Sequence, residues 1–133
     1  MEGILNKDTD EHILQCRKNK TRIIRRGQVF YADLGDGIGS EQQGIRPVVV
    51  VQNNVGNRFS PTIIVASLTS KMKKIKLPTH IRIKCNDDLD ENSIVLLEQI
   101  RAIDKRRLKQ YKCELSKEDM INISKGIKKN LGL

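Results

Sequence analysis

Arg46-Pro47-Val48-Val49-Val50-Val51-Gln52 sets four consecutive valines behind a proline. β-Branched side chains are stiff at χ1 and favour a pleated backbone. A run of them with no polar alternation reads as a strand, Pro47 to Gln52, buried on both faces. Before it, Gly35 to Ile45 has four glycines and no apolar period, which predicts a long loop. Before that loop, Gln28 to Leu34 reads as a strand with Val29 and Tyr31 on one face and Phe30 and Ala32 on the other. After the valines, Asn53 to Pro61 is rich in Asn and Gly and reads as a second loop. Thr62 to Leu68 reads as another apolar strand.

Lys71 to Pro78 is a basic connection. His80 to Lys84 alternates, with Ile81, Ile83 and Cys85 on one face and His80, Arg82 and Lys84 on the other. Asn86 to Asn92 is an acidic turn, and Ser93 to Ile103 predicts one long strand or two short ones. Near the end, Ser116 caps a helix with Glu118 in its first turn and Asp119 at the third helical position. Met120, Ile123, Ile127 and Leu131 give that helix one apolar stripe. No crossover helices separate the strands, so a parallel βαβ fold is excluded. Short strands with closely spaced turns and one terminal helix predict a mainly β fold, a small twisted barrel.

The chain of 133 residues fits one compact domain, read as residues 23–133, behind a polar extension over residues 1–22 of a kind that is often mobile. Trp is absent and Tyr and Phe number two each, so the core is expected to be aliphatic. The formal net charge is +9, and residues 67–110 carry eleven basic against six acidic side chains. Such a surface suits a polyanion, whether nucleic acid, anionic membrane or acidic protein, and equally serves solubility. No apolar run approaches the ~20 residues of a membrane span, and the N-terminus lacks the basic and apolar regions of a signal peptide. Cys16, Cys85 and Cys113 are odd in number and widely spaced, against a disulfide framework or a zinc site. A reducing cytosol is the expected location.

Three motifs are set aside. Gly35-Asp36-Gly37-Ile38-Gly39 lacks the GxGxxG spacing and is followed by a strand instead of a helix. Asp88 to Asn92 resembles a calcium loop, but Ser93 stands in place of the required glycine and Gln99 in place of the bidentate glutamate. His12 and His80 are the only histidines, and neither assembles into a Cys/His or Ser/His/Asp set. An enzyme built on this chain would work without the usual imidazole base.

The remaining constellation is the loop Gly39-Ser40-Glu41-Gln42-Gln43-Gly44-Ile45 ending at Arg46-Pro47. Proline biases Arg46 to extended backbone, so its guanidinium leaves a rigid strand end. Thr69 closes the Thr62–Leu68 strand, and antiparallel pairing would make the two neighbours. A guanidinium beside a hydroxyl suits a phosphodiester, because both donate to phosphate oxygens.

The run from Gly39 to Asn53 resembles the signature of the MazF/PemK toxin endoribonucleases. So do Gly56-Asn57-Arg58-Phe59-Ser60-Pro61-Thr62, Leu77-Pro78-Thr79-His80 and Leu97-Glu98-Gln99-Ile100-Arg101-Ala102-Ile103-Asp104. The resemblance runs in order and spacing from about Arg25 to the C-terminus, and is closest to Gram-positive forms. It implies an SH3-like barrel that forms a homodimer. It implies sequence-specific cleavage of single-stranded RNA without metal or other cofactor, by 2′-hydroxyl attack, leaving 2′,3′-cyclic phosphate and 5′-hydroxyl ends. It implies restraint by a cognate antitoxin with an acidic segment, which matches the basic surface. Arg46 and Thr69 match the catalytic pair. Ser40, Glu41 and Gln42 match the loop over the scissile step, and Asn53, Asn57, Glu98 and Gln99 match polar RNA contacts. The 1–22 segment departs from the family pattern.

Arg is protonated at neutral pH, so Arg46 is expected to stabilise charge on the pentavalent phosphorus, with the base left open between Glu41 and solvent. Two other readings use the same fold: a toxin that binds gyrase, and a non-catalytic RNA-binding barrel. The first has no need of the Arg46–Thr69 pair. The second usually stacks bases on aromatics that this chain lacks.

Overall fold

The computed structural model describes residues 23–71, 77–83, 88–90 and 92–133. Six strands form one antiparallel sheet in the order β4-β5-β3-β2-β1-β6. They are β1 (Gln28–Asp33), β2 (Ile45–Val50), β3 (Thr62–Thr69), β4 (His80–Arg82), β5 (Ile94–Asp104) and β6 (Leu108–Glu114). A short helix α1 (Asn54–Phe59) links β2 to β3, a 3-10 turn (Lys105–Arg107) links β5 to β6, and α2 (Lys117–Leu131) ends the chain.

The valine run behaves as its composition dictates. Val48, Val49 and Val50 are all fully buried, and alternation splits them between two apolar clusters. Val49 and Val51 join Val29, Ala66, Leu68, Val95, Leu97 and Cys113 beneath α2, where Ile123 is inserted. Val48 and Val50 join Phe30, Ala32, Ile63, Val65, Ile103 and Leu108 on the opposite face, with Tyr111 packed edge-on to Phe30. No described helix contributes to that second cluster, so the sheet must curl over on itself to exclude water. That is the barrel-like curvature expected from the sequence, although the hydrogen-bonded ladder runs from β4 to β6 without joining its ends. Irregular register between β1 and β6 adds to the bend.

The terminal helix follows its caps. Ser116 Oγ accepts the Asp119 N–H at 3.1 Å, and Gly132, at φ 72°, ends the helix in the left-handed region while Leu133 N–H donates to the Lys128 carbonyl at 2.8 Å. Met120, Ile123 and Ile127 pack on the sheet. Leu131 does not, being 60% exposed, because the last turn runs past the sheet.

Two elements differ from the sequence reading. The segment read as a loop from Asn53 to Pro61 contains α1, nucleated when the Asn53 side chain accepts the Gly56 N–H at 2.8 Å. Leu108–Glu114 is a full edge strand, although its polar composition gave no strand signal. Ser93 to Ile103 resolves as one long strand. Residues 1–22, Lys73, Lys74, Lys76, Lys84 and Cys85 lie outside the described residues.

Candidate functional site

The β1–β2 loop is closed at its neck by two backbone bonds, Leu34 N–H to the Gly44 carbonyl at 2.9 Å and Gly44 N–H to the Gly35 carbonyl at 2.8 Å. Gly35 (φ 71°) and Gly44 (φ 75°) supply the left-handed backbone this closure needs. Within the loop, Glu41 Oε1 accepts the Ile38 N–H at 2.6 Å and Gln43 Oε1 accepts the Gly37 N–H at 3.0 Å. The loop is therefore shaped by its own side chains.

The opposite wall comes from an irregularity in β5. Register pairs Val65 with Arg101 and Ser67 with Leu96. Between those pairs β3 contributes only Ala66, whereas β5 contributes Leu97, Glu98, Gln99 and Ile100. Such a bulge re-aims side chains that a regular ladder would hold flat. Leu97 pins it: its N–H donates to the Thr79 carbonyl at 3.0 Å, its carbonyl accepts from Asn130 Nδ2 at 3.1 Å, and its side chain is buried under α2. Glu98 and Gln99 then project from the sheet toward the loop. Gln99 bridges the gap, with Nε2 donating to the Ser40 carbonyl at 3.2 Å and Oε1 accepting the Gln42 N–H at 3.4 Å.

Loop and bulge together enclose an open cleft of about 600 Å³, lined by Ser40, Glu41 and Gln42 on one side and Glu98, Gln99 and Arg101 on the other. Five of the residues singled out from the sequence thus share one cleft. Arg46 and Thr69 stand outside its lining but are tied to it. Arg46 Nε donates to the Gln43 carbonyl at 3.0 Å, at the root of the loop. The β2–β3 register is Val48 to Ser67, Val49 to Ala66 and Val50 to Val65. Continued by two residues, it sets Arg46 opposite Thr69, as antiparallel pairing required. The Thr69 hydroxyl oxygen accepts the Lys71 N–H at 3.2 Å.

Asn53 and Asn57 are not brought to the cleft. Asn53 is the cap of α1, and Asn57 is 2% exposed, with Nδ2 donating to the Gln52 carbonyl at 2.9 Å and Asn54 Oδ1 at 3.2 Å. Arg101, Thr79 and His80 are additions. Arg101 lines the cleft and donates to the Leu34 carbonyl at 3.4 Å. Thr79 and His80 both bond Glu98 from behind. No spacing rule could reveal a contact across 18 residues. Among the described residues no group of three or more His, Cys, Asp or Glu side chains could hold a metal ion, and no helix is long and apolar enough to cross a membrane.

Residues 25–131 match the family described as PemK-like, MazF-like toxin of type II toxin-antitoxin system. The chain is 50% identical over 112 residues to the endoribonuclease MazF of Staphylococcus epidermidis, covering 84% of this chain and 93% of that one. Among solved structures, it is similar to a mycobacterial endoribonuclease in complex with its cognate antitoxin, at 28% identity and a TM-score of 0.69, covering 83% of this chain and 96% of that one. It shares its fold with MazF of Deinococcus radiodurans at 20% identity and a TM-score of 0.71, covering 84% and 98% of the two chains. With a family match over most of its length, a half-identical relative and the same fold, the chain belongs to the PemK-like, MazF-like toxins of type II toxin-antitoxin systems.

Proposed function

We propose that this chain is an endoribonuclease toxin that cuts single-stranded RNA at a short preferred sequence. The observation that carries the reading is the cleft between the Ser40–Gln42 loop and the Glu98–Gln99 bulge, rooted on a strand pair whose register sets Arg46 against Thr69. The cleft is lined by carboxylates and amides, groups that hydrogen-bond the edges of unpaired bases, and edges of that kind are accessible only in single strands.

The reaction is attack of the ribose 2′-oxygen on the adjacent phosphorus, with loss of the 5′-oxygen of the next nucleotide. The bond to the 2′-oxygen forms as the bond to the 5′-oxygen breaks, leaving a 2′,3′-cyclic phosphate and a 5′-hydroxyl. Arg46 places a fixed positive charge on the phosphorane oxygens and delivers a proton to the departing oxygen. The Thr69 hydroxyl donates to a non-bridging oxygen. The attacking hydroxyl loses its proton to Glu41 or to solvent. Charge stabilisation by the guanidinium takes the place a divalent cation holds in other nucleases, at a value on the order of 10²–10³ in rate. Asn53 and Asn57 support RNA contact indirectly, by shaping α1.

The toxin works in the cytoplasm as a dimer of this chain, and a cognate antitoxin restrains it by laying an acidic segment against the basic surface. The test is cleavage of a long single-stranded RNA in excess EDTA, with wild type and Arg46→Ala side by side. Discrete cuts bearing cyclic phosphate and 5′-hydroxyl ends, lost in a folded Arg46→Ala protein, are the expected result. Equal cutting by the variant would remove Arg46 from the mechanism. Intact RNA with folded wild type would move the function to binding alone.

A further inference from the structure

Glu98 is held in an unusual way for a residue on an exposed bulge. Its Oε2 lies 2.8 Å from His80 Nε2, and its Oε1 accepts from the Thr79 hydroxyl at 3.2 Å. The His80 side chain is 2% exposed and that of Glu98 29%. A carboxylate only accepts, so the hydrogen in the first bond sits on Nε2. Both oxygens are therefore fixed from the protein side by β4, and β4 is itself registered against β5 through His80 and Leu96. Each oxygen keeps a lone pair facing the cleft that Glu98 lines. Gln99, beside it, has both ends of its amide occupied by loop backbone, so its task is to hold the loop.

A carboxylate with fixed oxygens, presented to an unpaired base, recognises donors and repels acceptors. Adenine and cytosine offer an exocyclic amine on the Watson–Crick edge, and guanine offers an amine beside a ring N–H. Uracil offers a single N–H flanked by two carbonyl oxygens, which a carboxylate repels. We propose that Glu98 is a specificity-determining residue selecting an amino-bearing base over uracil at one position of the cut sequence, and that Thr79 and His80 are the positioning residues that hold it. The proposal rests on the endoribonuclease reading and deepens it. A hydrogen-bonding match of this class discriminates by roughly tenfold or more.

The experiment maps every cut in a long RNA of mixed sequence by sequencing from the new 5′-hydroxyl ends, using the full chain. The proteins are wild type, Glu98→Gln, His80→Ala, His80→Gln and Thr79→Val. Wild-type cuts should share one position from which uracil is excluded by roughly tenfold or more. Glu98→Gln, whose amide both donates and accepts, should admit uracil there to within about threefold while the other positions keep their preference. His80→Ala should loosen the same position alone, and His80→Gln, which returns an N–H near Nε2, should restore it. A merely structural role for His80 would lower cutting at every site equally. Thr79→Val, which removes only an exposed hydroxyl bond, carries the test should His80→Ala fail to fold. Wild type that cuts with no uracil-excluding position, or Glu98→Gln with an unchanged motif, overturns this inference and leaves the nuclease reading standing. Absence of any wild-type cutting overturns both.

Discussion

Arg46 was legible because proline and a strand boundary are local signals, and Thr69 because it ends an apolar run four residues after Val65. Their cross-strand relation needed only antiparallel pairing, which the register supplies. Asn57 shows the opposite case. Asn on a polar segment reads as a surface contact, but α1 turns it inward to satisfy the Gln52 carbonyl, and its Oδ1 is buried without a partner. The cleft pairing of Glu98 with Thr79 and His80 was illegible, since it joins two strands through a bulge that no periodicity announces. Away from the site, Asp104 offers a test of residue-level electrostatics. The Arg106 side chain and backbone N–H both donate to it and hold its carboxyl below the ordinary value of 3.8. The ionised form therefore favours the fold above that range, and the benefit is lost as pH falls through the depressed folded-state value. The side chain is 40% exposed, so the effect is screened to a few tenths of a kcal/mol. Asp104→Asn should lower the urea midpoint slightly at pH 7, and the gap to wild type should close in acid. A gap that persists or widens in acid would mean the cap acts through geometry alone.

At the scale of elements, the strands that alternate or run apolar were readable, and the two that were missed have physical reasons. Leu108–Glu114 has only Leu108 and Cys113 buried, so an edge strand with one solvated face left a weak pattern. α1 is a single turn and a half, too short for a 3.6-residue period to show, and it exists because of one cap. Helix α2 was readable in extent, but its manner of docking was not. Gly126 sits where a Cβ would come 2.4 Å from Leu97 Cδ1 and 3.2 Å from Ile81 Cδ1. Leu97 is fully buried and has no room to give way. Alanine would gain about 1 kcal/mol of helix propensity and lose about 1–3 kcal/mol to overpacking. Gly126→Ala should therefore lower stability by urea denaturation, by on the order of 1 kcal/mol. It should also slow RNA cleavage, because Leu97 opens the bulge that carries Glu98. A variant more stable than wild type would show that the helix rides loosely on the sheet.

For the whole molecule, the net charge of +9 was the first functional hint and remained the least specific one. A long-range field steers a polyanion to the surface without choosing where it is cut. Binding of a single-stranded RNA made uncleavable by a 2′-deoxy substitution at the cut should weaken with salt, by about 0.7 in log affinity per tenfold in salt for each phosphate neutralised. With three such phosphates, the loss between about 50 and 200 mM salt is roughly tenfold or more. Fluorescence anisotropy reads it directly, and a flat profile would disconnect the charge from RNA. Cutting specificity should stay constant over the same range, because it is set in the cleft. That separation returns to the β5 bulge. Ile94–Leu96 and Arg101–Asp104 are each anchored by their own rungs to β3, so the residues between them form a cassette whose contents can change without loosening the frame. A lineage of such toxins could thus acquire new target sequences by exchanging a few side chains in that cassette, each retargeting step compatible with an unaltered fold.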